Sequence, residues 1–140
     1  MAASARRGLN PRSPCPDHAP ARRSRRCTRG SLPPALVALL DDAPAGLAGG
    51  LPGTANGVRE LRSLWVAPWA RGRGVADRLI EEVERWARAD GGSTLRLAVL
   101  PGNEAALARY RRHGFVPLAE PGDLLADGTT RELLLAKPLD

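Results

Sequence analysis

The sequence predicts an α/β domain, a mixed β-sheet flanked by helices, behind a disordered basic N-terminal tail. Three observations carry that expectation. After residue 31, runs of β-compatible residues alternate with two stretches of helical periodicity. Glycine or proline stands at almost every junction between them. Before residue 31 neither periodicity is present. A chain of 140 residues suits one hydrophobic core, so the expected organisation is a tail over residues 1–30 and one domain over 31–140.

The tail is rich in Arg, Pro, Ser and Ala, and Pro11, Pro14, Pro16 and Pro20 rule out a continuous helix. With no apolar face it cannot offset its ordering entropy. Its readings are an organelle transit peptide, a nucleic-acid-binding arm, or a solvated extension that includes the case of a misassigned start. The last is preferred.

Residues 35–40 read as a strand, and Asp41-Asp42-Ala43-Pro44 as a turn. Residues 45–51 form a second strand, weakened by Gly46, Gly49 and Gly50. A loop follows over 52–57. Residues 60–66, Glu-Leu-Arg-Ser-Leu-Trp-Val, are a better strand, ended by Pro68. The strongest helix comes next: Val75, Ala76, Leu79, Ile80, Val83, Trp86 and Ala87 recur at steps of three and four. Glu81 and Arg85 stand on its polar face as an acid-to-base pair one turn apart. Gly91-Gly92 stops it. A strand over 94–100 leads to the turn Pro101-Gly102, and Asn103 caps a helix to about 113, closed by Gly114. Two strands over 115–118 and 130–136 end the order β-β-β-α-β-α-β-β.

The net charge of +6 is unevenly placed. Up to Gly30 there are eight arginines and one acid; the remainder has 13 basic and 14 acidic residues. The domain is thus nearly neutral, and the charge is no ground for nucleic-acid binding by it. No apolar run is long enough to span a bilayer, and no apolar leader follows Met1. A cytoplasmic protein without a membrane partner is expected. Cys15 and Cys27, with His18, lack the spacing of a metal site, so no metal is expected and the thiols are read as reduced.

The segment that carries chemistry is Val66-Ala67-Pro68-Trp69-Ala70-Arg71-Gly72-Arg73-Gly74-Val75-Ala76. A strand runs through a glycine-containing loop into a helix whose first N–H groups are unpaired and partly positive. Gly72 and Gly74 let backbone approach a ligand closely, and Arg71 and Arg73 add charge. Such a cradle suits a pyrophosphate, although an ordinary tight turn with exposed arginines has the same composition. Asn103 and Tyr110 lie two helical turns apart on one face, with small Ala106 between them. They are either ligand contacts or a cap and a core residue.

Arg71-Gly72-Arg73-Gly74-Val75-Ala76 resembles the Arg/Gln-x-x-Gly-x-Gly/Ala signature of the GNAT superfamily of N-acetyltransferases. Asn103, Ala106, Tyr110, Gly114 and Phe115 are similar in spacing to its second motif. The resemblance covers about residues 35–139. It implies a GNAT-type sheet and transfer of an acetyl group from acetyl-CoA to an amine-bearing acceptor, with homodimerisation left open. Residues 71–76 would hold the pyrophosphate. Val66 would pair its backbone with the pantetheine arm and Asn103 would bond the same arm. Tyr110 would sit by the sulfur as the acid that protonates the leaving thiolate, and a backbone N–H of the 60–66 strand would face the oxyanion. Glu60 falls where some members carry a catalytic glutamate; it is otherwise a strand carboxylate paired with Arg59 or Arg62. His113 is the other candidate base but is preferred as a helix-end residue, and Trp65 and Trp69 either line an acceptor pocket or, the preferred reading, serve as core or as a loop anchor. The strand and two helices that open the family's fold are not recognisable in residues 1–30, so the domain is expected to be N-terminally truncated. A coenzyme binder without turnover, or nucleic-acid binding through the tail, are the competing functions.

Overall fold

The computed structural model describes residues 4–7 and 33–140. Within the tail, Ser4–Arg7 forms strand β1, where the sequence pattern predicts none. It pairs antiparallel with β2, Ala35–Leu40. A strand added to a sheet edge is held by its backbone ladder, which needs no apolar alternation. The rest of the tail, with Cys15, His18 and Cys27 and with the disorder and nucleic-acid readings attached to it, lies outside the described residues.

Strand β2 buries Leu36, Ala38 and Leu40 and leaves Ala35 and Val37 exposed, the alternation of a sheet covered on one face. Asp41 and Asp42 both take positive φ, 52° and 62°, and turn the chain tightly into β3, Ala43–Pro52. The glycines of β3 are where the sheet receives its helix. A Cβ on Gly46 would stand 2.7 Å from the Trp65 carbonyl, and one on Gly50 would stand 2.6 Å from the Trp86 ring. Strand β4 spans Val58–Val66 and is followed by a short 3-10 turn, Pro68–Ala70.

Helix α1, Val75–Ala89, buries the apolar stripe read from the sequence. On its polar face Arg85 pairs with Glu82 rather than with Glu81. Strand β5, Thr94–Val99, and helix α2, Glu104–Arg112, follow, then β6, Val116–Leu124, and β7, Arg131–Pro138. Strand β6 runs further than expected, through Pro117 and Pro121, because it lies at the sheet edge where a missing N–H costs no ladder bond.

The strand order is β1-β2-β3-β4-β5-β7-β6, and only β4 and β5 are parallel. This is the mixed α/β architecture expected. One core joins Leu36, Leu61, Leu95, Leu97 and Leu135 of the sheet to Leu79, Ile80, Val83 and Trp86 of α1 and to Leu107 and Tyr110 of α2. Both helices therefore serve the same, inner face. The outer face carries a cross-strand row of apolar side chains, Val37, Leu47 and Trp65, all exposed.

Candidate active site

The site grows out of the one parallel pair. Strands β4 and β5 share a ladder at Val58↔Thr94, Arg59↔Leu95 and Glu60↔Arg96, and the ladder ends there. Both strands continue, β4 to Val66 and β5 to Val99, without pairing to each other. The cause lies in β4. Opposite it, Leu47 pairs with Trp65 and Gly49 with Arg62, so β4 carries one residue more than β3 across this stretch. Ser63 takes φ 58° there. This is a β-bulge, and a bulge bends its strand. Bent β4 departs from β5 and leaves backbone N–H and C=O groups of residues 61–66 along an open edge.

The opening is a groove of about 800 Å³. Leu61, Leu64, Trp65 and Val66 line it from β4, Leu97 and Val99 from β5, and Asn103, Ala106, Arg109 and Tyr110 from α2 and its cap. One end of it meets Arg71, Gly72, Gly74, Val75, Ala76 and Asp77. Gly72 and Gly74 have φ of 77° and 76°, and a Cβ on either would meet nothing within 4 Å. The left-handed backbone explains why glycine stands at both. The open space in front of each is what an approaching ligand needs. Gly74 caps α1 without any side-chain hydrogen bond, so the first-turn N–H groups of Val75, Ala76 and Asp77 stay available. The cradle thus fits a diphosphate, and the open β4 edge fits an extended arm bearing amide groups.

Tyr110 is 8% exposed, and its ring meets Phe115 edge to face at 5.8 Å between centroids. Burial pushes its pKa above the ordinary 10.0, against a smaller opposing effect of Arg109. The phenol is therefore protonated throughout neutral pH. Asn103 does act as a cap: its Oδ1 accepts from Ala106 N at 3.3 Å, which leaves its amide donors for another partner. His113 is the C-cap of α2, as expected, and its Nε2 also meets Asp77 Oδ1 at 2.8 Å.

Of the ten residues read from the sequence as coenzyme contacts, Val66, Arg71, Gly72, Gly74, Val75, Ala76, Asn103, Ala106 and Tyr110 line this groove; Arg73 does not. Glu60 stands outside the lining, at the last rung of the β4–β5 ladder. Its Oε2 accepts from Arg62 Nε and Nη2 at 3.0 and 2.7 Å. Arg59 points elsewhere, with Nε 2.7 Å from Asp90 Oδ2. Trp65 and Trp69 are not core residues: they are 51% and 53% exposed, because the bulge turns Trp65 to the outer face and the 3-10 turn presents Trp69 to solvent. Asp77, Ser63 and Arg109 also line the groove, and the sequence pattern assigns none of them to the site. A lone aspartate in a first helical turn reads as a favourable dipole partner, and a serine with positive φ leaves no mark in the pattern.

Residues 4–115 match the acetyltransferase (GNAT) family. The chain belongs to that family. The matched range includes β4, the α1 start and β5. A curated relative, the IAA acetyltransferase of Azospirillum brasilense, is 35% identical over 86 residues, which are 61% of this chain and 55% of that protein. Nourseothricin acetyltransferase has a similar fold, with a TM-score of 0.68, 28% identity, and coverage of 77% of this chain and 66% of that one. So does yncA from Salmonella typhimurium, whose structure was solved with its cofactor acetyl-CoA; the TM-score is 0.65 at 22% identity, covering 78% of this chain and 66% of that one. This GNAT chain therefore spans about half to two thirds of the length of these relatives. Among the described residues no helix is long and apolar enough to cross a membrane, and no group of three or more His, Cys, Asp or Glu could hold a metal ion.

Proposed function

We propose that the chain transfers an acetyl group from acetyl-CoA directly to an amine, with both substrates bound at once. The observation that carries the reading is the parting of β4 from β5 beside the start of α1, whose Gly74 cap makes no side-chain hydrogen bond. One end of the groove receives a diphosphate on backbone N–H groups at residues 72–76, with Arg71 at its side and Arg73 acting from outside the lining. The open edge of β4 takes the place of a neighbouring strand for the pantetheine amides, with Val66 as one contact and the Asn103 amide as another.

Acetyl-CoA supplies an acyl group activated as a thioester. The chain's own residues do the rest. Glu60, on the outer face at the last rung, accepts a proton from the incoming ammonium, its carboxylate oriented by Arg62. Backbone N–H groups of the β4 edge face the charge that develops on the carbonyl oxygen. Tyr110, kept protonated by its burial, donates to the departing sulfur. The C–S bond breaks, an amide bond forms, the nitrogen sheds its second proton to solvent, from which Tyr110 is reprotonated, and the products are an N-acetylated amine and free thiol.

A second reading, coenzyme binding without turnover, is favoured by the exposure of Val37, Leu47 and Trp65 on the face from which an amine would approach. Thiol release separates the two. Acetyl-CoA is titrated into the full chain by calorimetry, and free thiol is then followed with a panel of amines. Saturable binding with amine-dependent thiol release is the expected outcome. Binding with no release from any amine would favour the second reading, and no binding would remove both.

A further inference from the structure

Asp77 presents a difficulty for an anion site. It is the third residue of α1, it lines the groove beside Gly72 and Gly74, and its side chain is 42% exposed. A carboxylate in a first turn interacts favourably with the helix dipole, which is the same resource that a bound diphosphate uses. Unbalanced, it would repel that ligand at close range.

The balance comes from the other helix. His113 Nε2 lies 2.8 Å from Asp77 Oδ1, across 36 residues of sequence, and the His113 side chain is 15% exposed. His113 is firmly placed. As the C-cap of α2 its backbone N–H bonds the carbonyls of Arg109 and Tyr110, and Phe115 N–H bonds Tyr110 O as well. With the proton on Nε2 the ring donates to Asp77 Oδ1 and occupies one of the carboxylate's lone pairs.

Resting on the acetyl-CoA reading above, we propose that His113 is a positioning residue that acts through Asp77. It holds the carboxylate to one side by a hydrogen bond, so that the start of α1 remains attractive to a diphosphate. His113 itself touches no substrate. The contact also ties the turn that cradles the phosphates to the helix that carries Tyr110.

The test is a double-mutant cycle on the full chain, read by calorimetric titration with coenzyme A and by KM and kcat for acetyl-CoA. His113→Ala is expected to weaken coenzyme A binding roughly tenfold, by exposing an uncompensated carboxylate to the diphosphate. KM should rise by a similar factor while kcat stays within about twofold. Asp77→Asn alone should bind at least as tightly as the wild type. The double variant should return to within about twofold of Asp77→Asn, because no carboxylate charge is left to hold aside. A loss that persists in the double variant would overturn the proposal, since it would assign His113 a packing role only; so would unchanged affinity in His113→Ala. A wild-type chain that does not bind coenzyme A would remove the function and this inference together, whereas wild-type binding with either of the other results removes the inference alone.

Discussion

The two halves of the β4–β5 pair use the same strands for opposite ends. Up to Glu60 and Arg96 the strands share a parallel ladder, and side chains reinforce it: Arg59 donates to the Asp90 carboxylate and to the Asp90 carbonyl, both at 2.7 Å. Beyond that rung the bulge at Ser63 bends β4 away, and the same backbone groups that closed the ladder line a groove. The difference is one extra residue. A sheet gains a ligand edge when pairing stops before the strands do, and the remaining ladder holds the opening at a fixed width.

The comparison is broken most severely at the open half. Gly74→Glu places a side chain on a backbone with φ 76° and a negative charge in the cradle. Coenzyme affinity should fall by at least about a hundredfold, with the thermal midpoint much less affected. Calorimetry beside a melting curve checks both. Tyr110→Phe removes the hydroxyl and keeps the ring packed on Phe115. Turnover should fall roughly a hundredfold and coenzyme affinity by less than about threefold; equal turnover of the two proteins would remove Tyr110 as the acid.

The paired half should respond in stability instead. Arg59→Ala removes the guanidinium that lies 2.7 Å from the Asp90 carboxylate, whose side chain is 5% exposed. A cost of about 3 kcal/mol is expected, read as a lower denaturant midpoint, with coenzyme affinity unchanged once the protein is folded. A large loss of affinity there would mean that the two halves are not separable. The smallest effect concerns the phenol itself. Tyr110 is the single tyrosine of the chain, so an ultraviolet titration of phenolate reports it alone. Burial disfavours the phenolate, so its midpoint should lie above 10.0. By the same sign the buried phenol contributes stability below pH 10 that is lost as the pH rises through its raised value. A midpoint at or below 10.0 would contradict the burial.

What was legible in the sequence divides along the same line. The cradle could be read because its physics is local: glycines, a helix start and arginines within six residues. Helix α1 was legible from the apolar stripe from Val75 to Ala87, and the face shared by Asn103, Ala106 and Tyr110 from helical spacing alone. The opening itself was not. It depends on a register difference between β3 and β4 and on a serine in a left-handed conformation, and neither alters hydrophobic alternation enough to be seen. The exposure of Trp65 is hidden for the same reason, since a bulge shifts every later side chain of β4 by one position. The glycines of β3, which weaken a strand by propensity, proved to be where Trp86 and the Trp65 carbonyl come close. The contact between Asp77 and His113 joins two helices and has no local signature at all.

The most direct measurement is a crystal structure of the full chain with coenzyme A. The account predicts the diphosphate against the backbone N–H groups at residues 72–76, and the pantetheine arm along the open edge of β4 between Leu61 and Val66. Electron density for the coenzyme at any other surface, with β4 and β5 parted and nothing between them, would contradict it.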